Sequence, residues 1–108
     1  MTDKEKCQLI YCTFPDAEEA RAVSKRVVGD KFAACANIFS PHEAIYEWDG
    51  KICEGKEVAV LYKTKASKVP DLIKVIDDAH SYDTPCVVAL PINCGAENFM
   101  QWISQQTS

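Results

Sequence analysis

Hydrophobic and polar positions change their period several times along this chain, and each change marks an element. "CQLIYCTF", Cys7 to Phe14, is β-branched and aromatic at most positions and stops at Pro15, which predicts a strand. Asp16 then stands as a helix cap, with Glu19 three residues on completing a capping-box pattern. Ala20, Val23 and Val27 form the apolar stripe of that helix, and Gly29 suits the position just past its end. A second apolar run, Phe32 to Ser40, continues through Pro41 and His42 into "AIYEW". Because proline cannot donate to a sheet ladder, Pro41 predicts an edge or a bulge there.

Asp49-Gly50 is a two-residue hairpin signal, and the third strand follows as Lys51 to Lys65. At about 3.3 Å per residue this strand reaches roughly 50 Å, against a radius of gyration near 13 Å for a domain of this size. The hairpin is therefore expected to project beyond its own domain. With the turn at Asp49-Gly50, Trp48 faces Lys51 and Tyr46 faces Cys53 across the ladder.

Ser67 or a neighbour starts the second helix, with Pro70 in its first turn and Val69, Leu72, Ile73, Ile76 and Ala79 on one face, ending near His80. "CVVALPI", Cys86 to Ile92, is a fourth strand with no polar side chain, which predicts cover on both faces. "AENFMQWISQQ" closes the chain as a short helix expected to send Phe99, Trp102 and Ile103 into the core. The order β-α-β-β-α-β-α gives an α+β class, a ferredoxin-like sandwich with an added C-terminal helix and a long protruding β-hairpin. The third strand is apolar on both faces, through Val58, Val60 and Tyr62 and through Ala59 and Leu61, so a second subunit is the simplest cover for the free face.

Composition narrows the partners. The 108 residues predict one domain, with no linker or repeat, small enough that extra burial through self-association matters. A net charge of −4 without any basic run argues against nucleic acid and against a membrane patch. No apolar run approaches the roughly 20 residues of a bilayer span, and "MTDKEKCQLIYC" lacks the features of a signal peptide, so a cytoplasmic location is expected. The six cysteines lie mostly in apolar runs and read as buried reduced thiols rather than three disulfides.

"KFAACANI", "IYEWDGKI" followed by "KEVAVLYKT", "HSYDTP" and "VVALPI" followed by "FMQWI" together resemble, in order and spacing, the CutA divalent-cation tolerance proteins. The likeness runs from about Tyr11 to Ile103. It implies a homotrimer with the long hairpins packed round a threefold axis, a link to tolerance of copper and other divalent cations, and no established catalytic reaction. The family's cysteine in "AAC" falls on Cys35, its "Y-x-W-x-G-K" on Tyr46, Trp48, Gly50 and Lys51, its strand glutamate on Glu57, and its "H-P-Y-x-x-P" on His80, Tyr82 and Pro85. Ser81 replaces the proline that commonly follows the histidine, and Ala79 replaces a second histidine found in some relatives. A copper site built on a histidine pair is thus one ligand short.

Each candidate also has an ordinary structural role. No C-x-x-C, paired Cys/His knuckle or H-E-x-x-H is present, so a structural zinc site is not expected. Copper(II) accepts imidazole and carboxylate and copper(I) prefers thiolate, so with the resemblance the expected metal ligands are Cys12 and His80, with Glu57 a weaker carboxylate. Their ordinary roles are a small buried hydrophobe for Cys12 and Cys35 and a helix-end residue for His80. Trp48 reads as an interface anchor or a ligand contact. Tyr82, Asp83 and Thr84 fit a pocket wall that Glu57 and Lys63 could face across a subunit cleft, or else a turn closed by Asp83 on local amides. His42 reads as a solvated loop residue. No phosphate loop or nucleophile motif supports an enzyme. Two readings remain: a trimeric metal-tolerance protein that binds copper weakly, and a trimeric small-ligand or signalling module like the PII proteins.

Overall fold

In the computed structural model, residues 6–108 are described; the first five residues of the stretch expected to carry no signal peptide lie outside them. β1 (Cys7–Phe14) ends at Pro15, and α1 (Ala17–Gly29) starts from Asp16, whose Oδ1 accepts the Glu19 N–H at 2.8 Å. Glu19 does not complete the box: its Oε2 accepts the Ser81 N–H at 3.0 Å, which ties α1 to the segment after the second helix. The chain reverses at Lys31, with φ 66°, and Gly29 remains the last helical residue rather than the one beyond it.

The second apolar run is shorter as a strand than expected, because the Phe32 and Ala33 amides both bond to the Val27 carbonyl at the end of α1. β2 is Cys35–Ile38 and β3 is His42–Trp48, and both pair antiparallel with β4 (Lys51–Lys65). Ile38 pairs with Val60 and His42 with Glu57, so three residues, Phe39 to Pro41, oppose two, Val58 and Ala59. Pro41 thus sits in a bulge, where its missing N–H leaves no ladder position unmade. At the other end of the arm Asp49 (φ 53°) and Gly50 (φ 74°) take the left-handed conformations of a type I′ turn, which pairs Trp48 with Lys51 and Tyr46 with Cys53. The molecule measures 54 × 25 × 23 Å, and the 15 residues of β4 account for the long axis.

A tight turn (Ala66–Lys68) leads into α2 (Val69–Ala79), with Pro70 in the first turn. β5 (Val87–Pro91) and α3 (Glu97–Gln106) complete the chain. The strand order β2-β4-β1-β5 with β3 continuing along β4, all antiparallel, is that of the ferredoxin-like sandwich. Ile10, Cys12 and Phe14 of β1 and Val58, Val60 and Tyr62 of β4 form one face of the sheet, covered by Ala20, Val23 and Val27 of α1 and Leu72 and Ile76 of α2. Tyr62 shares a 2.9 Å hydrogen bond with Ser24, so its buried hydroxyl is satisfied.

The opposite face is covered at one end only. Ile103 of α3 packs with Cys7 and Ala34 there, whereas Phe99 and Trp102, expected in the core, stack on each other at 5.6 Å and stay 43% and 37% exposed. Spaced by three on one helix, these two rings meet each other along the helix surface instead of entering the core. β5 lies at an edge, and Val88 and Leu90 are exposed, so within one chain the strand lacks the two-sided cover its composition predicts.

Candidate functional site

Period-two alternation decides what faces the open side of the sheet. Tyr11 and Thr13 lie there from β1, Glu57 from β4, and His42, Ala44, Tyr46 and Trp48 from successive same-face positions of β3. The segment Ser81–Thr84 and Cys86 close the remaining wall, and the cleft so formed has a volume of about 800 Å³.

His80 holds that wall in place. It is the first residue beyond α2, with an extended backbone, and its side chain is fully buried. Its ring stacks on Phe14 at 4.7 Å with planes 10° apart. The Thr13 carbonyl, 2.7 Å from Nε2, can only accept, and the Tyr82 N–H, 3.1 Å from Nδ1, can only donate. Nε2 thus donates and Nδ1 accepts, with Glu19 Oε2 3.6 Å from Nδ1, and both nitrogens are engaged. The Tyr82 hydroxyl in turn donates to Glu57 Oε2 at 3.1 Å. A chain of contacts thus runs from the β1 backbone through His80 and Tyr82 to the carboxylate on β4.

Burial and the Glu57 charge set the local acid–base balance. Desolvation first, then the Glu57 hydrogen bond and charge, push the Tyr82 phenol up to about 12. Desolvation and Glu57 raise the Cys86 thiol, and desolvation, Cys86 and Glu57 raise the Tyr11 phenol. Cys12 is pushed up to about 12, mainly by burial. A raised thiol or phenol is stabilised in its neutral form, so its contribution to stability is complete below its ordinary value and is lost as pH climbs toward the folded one. Stability should accordingly hold to about pH 9 and fall between about 9 and 12, as a pH series of thermal melts will show. At about pH 8 iodoacetamide should label Cys86 and Cys94, which are exposed, and spare Cys12.

The structure separates the residues expected to share copper. Cys12 pairs with Val60 and lies on the helix-covered face, Glu57 lies on the open face, and His80 has no nitrogen lone pair left to offer. Among the described residues no group of three or more His, Cys, Asp or Glu side chains is placed to hold a metal ion. Nor is His80 bonded to the last carbonyls of α2; the nearer partner across the fold is β1.

Lys63, expected to face the Tyr82–Thr84 wall across a subunit cleft, lies six residues from Glu57 along β4. Its Nζ donates to Asn37 Oδ1 and sits 5.8 Å from the Phe99 ring centre. Cys35 is half-buried on β2 opposite Lys63, Lys51 stays at the hairpin tip, and Pro85 leads into β5 without lining the cleft. Asp83 and Tyr82 do line it. Sequence reasoning missed Tyr11, Thr13 and Cys86 as wall residues, and it placed His42 in a solvated loop. His42 is the half-buried first residue of β3, directly across from Glu57. The signal was present in "HEAIYEW", where His42 shares the alternation of Tyr46 and Trp48.

Comparison with known proteins matches residues 8–106 to the family model "CutA1 divalent ion tolerance protein". The divalent-cation tolerance protein CutA of Archaeoglobus fulgidus is 41% identical over 89% of this chain and 93% of its own length. That of Thermococcus kodakarensis is 39% identical over 90% and 92%. The solved structure of the periplasmic divalent cation tolerance protein CutA from Archaeoglobus fulgidus is 38% identical, with a TM-score of 0.92 over 94% of this chain and 99% of that one. The cytoplasmic expectation is corrected by this last relative, which is a periplasmic protein by its description. The expectation rested on the lack of a bilayer-length apolar run and of a signal-peptide pattern, and neither absence fixes a compartment, because a signal peptide is removed from the mature chain. No helix among the described residues is long and apolar enough to cross a membrane. With the family model spanning nearly all of the chain and the same fold in its relatives, this protein belongs to the CutA1 divalent ion tolerance family.

Proposed function

We propose that this chain serves tolerance of divalent cations as a homotrimer, binding copper weakly in the cleft at the base of the hairpin arm. The observation that carries the proposal is the placement of Glu57: its carboxylate shares the cleft with the His42 imidazole and the Cys53 and Cys86 thiols. Carboxylate and imidazole suit copper(II), and thiolate suits copper(I). Glu57 Oε2 already accepts from Tyr82, and no three of these side chains among the described residues converge on one point, so they fit a weak, exchangeable ion held by one or two donors rather than a closed cage. The family is named for tolerance and not for a reaction, which fits a binding role.

The trimer is supported by apolar surface that one chain leaves uncovered. Ile45 and Ile52 are each 71% exposed on one face of the arm, and Tyr46 and Trp48 are 49% and 58% exposed on the other. Copper titration of chelator-stripped protein should give modest affinity, reduced several-fold by Glu57→Gln and by His42→Ala and unchanged by Cys12→Ser. Unchanged binding in Glu57→Gln and His42→Ala would overturn the cleft as the copper site. A second reading, a small-ligand or signalling module, is favoured by the aromatic side chains that line the same cleft.

A further inference from the structure

We propose that the cleft is a receptor for a small organic cation, an alkylammonium or quaternary ammonium compound; this rests on the small-ligand reading above. Its volume of about 800 Å³ falls within the usual range of small-molecule sites, roughly 300 to 1,000 Å³. Four aromatic side chains line it: Tyr11 from β1, Tyr46 and Trp48 from β3, and Tyr82 from the segment after α2. Ring faces carry negative charge density and attract a cation whose charge is spread over carbon-bound hydrogens.

The charged groups agree in sign. Glu57 and Asp83 are carboxylates on the cleft wall, and among the described residues no lysine or arginine lines it. Within one chain Lys63 reaches Asn37 and Phe99 instead of the cleft. An anionic metabolite therefore meets two like charges on the wall, with Lys51 set apart at the hairpin tip, across from Trp48. A bare metal ion meets no set of three ligands among the described residues.

Glu57 is also held before any ligand arrives. The Tyr82 hydroxyl fixes Oε2, the Tyr82 amide is fixed on His80 Nδ1, and His80 Nε2 is fixed on the Thr13 carbonyl. Such a clamped carboxylate beside aromatic walls loses little freedom on binding, which favours a small ligand that offers few contacts.

The test is titration of the full chain with tetramethylammonium and butylammonium chlorides, at ionic strength held constant with potassium chloride. Binding is read by calorimetry and by the fluorescence of Trp48 in a Trp102→Phe background. Saturable binding is expected, with butyrate giving none. Glu57→Gln should weaken it about tenfold, the scale of a desolvated cation–π or carboxylate contact. Tyr82→Phe, which removes only the hydroxyl clamp, should weaken it by a smaller factor, and Asp77→Asn on α2 should leave it unchanged. Absence of saturable binding, equal binding of butyrate, or equal affinity in Glu57→Gln and Tyr82→Phe would overturn the proposal. Copper binding without ammonium binding would overturn it and leave the metal proposal standing; ammonium binding without copper would support it and remove the metal proposal.

Discussion

Replacing Ile45 and Ile52 together with lysine should leave the chain folded and unable to assemble. The two residues are diagonal neighbours on one face of the β3–β4 hairpin, because Ile45 pairs with Glu54 and Ile52 with Glu47. Each is 71% exposed in the single chain, so its replacement removes almost no intrachain packing. In a trimer whose arms pack together the same positions are buried, and burying two lysine charges there is opposed by desolvation and mutual repulsion. Loss of one central apolar contact at such an interface is worth about 2 kcal/mol or more, and two such losses exceed what a small assembly tolerates at low micromolar concentration. Sedimentation should show a persistent trimer for the wild type and a folded monomer for the double variant. Trp48→Ala should weaken assembly in the same direction. A wild type that sediments as a monomer, or a double variant that stays trimeric, would remove the proposed assembly.

His80→Ala should destabilise the fold by roughly 2 to 4 kcal/mol, whether or not metal is present. It removes two hydrogen bonds, each contributing about 1 kcal/mol, and a stacked ring contact of about 0.5 to 1.5 kcal/mol, and it opens a void against Phe14. The Tyr82 amide loses its acceptor, so the wall that carries the hydroxyl to Glu57 loosens as well. Denaturant unfolding with and without a chelator separates this structural role from ligation. An unchanged midpoint in chelator, with copper affinity abolished, would restore His80 as a metal ligand.

The first strand, the Asp16 cap, the Asp49-Gly50 turn and the full span of β4 were legible in the sequence, because each depends on neighbours in the chain. An N-cap bonds an amide three residues on, a type I′ turn needs two left-handed residues in a row, and a hairpin register follows once its turn is set. The bulge at Pro41 belongs here too, since a missing N–H is a local fact. Which side chains converge on Glu57 was decided only by tertiary structure. Tyr82 and Glu57 stand 25 positions apart, His80 and Thr13 stand 67 apart, and Ser81 and Glu19 stand 62 apart.

Residue type alone misplaced several of these groups. His80 and Cys12 have the chemistry of copper ligands, yet packing gave the imidazole two backbone partners and sealed the thiol beneath the helices. Lys63 has the charge to meet Asp83 across a subunit cleft, and within its own chain its position on β4 carries it to Asn37 and Phe99. Phe99 and Trp102 have core composition, yet α3 reaches the sheet through Ile103 and leaves them on the surface. In each case the side chain's chemistry was set by its identity, while the partner was set by contacts between elements far apart in the chain. The sequence alone determined the family, the strand and helix order and the reach of the arm; the tertiary fold alone chose which carboxylate, rings and thiols share a cleft.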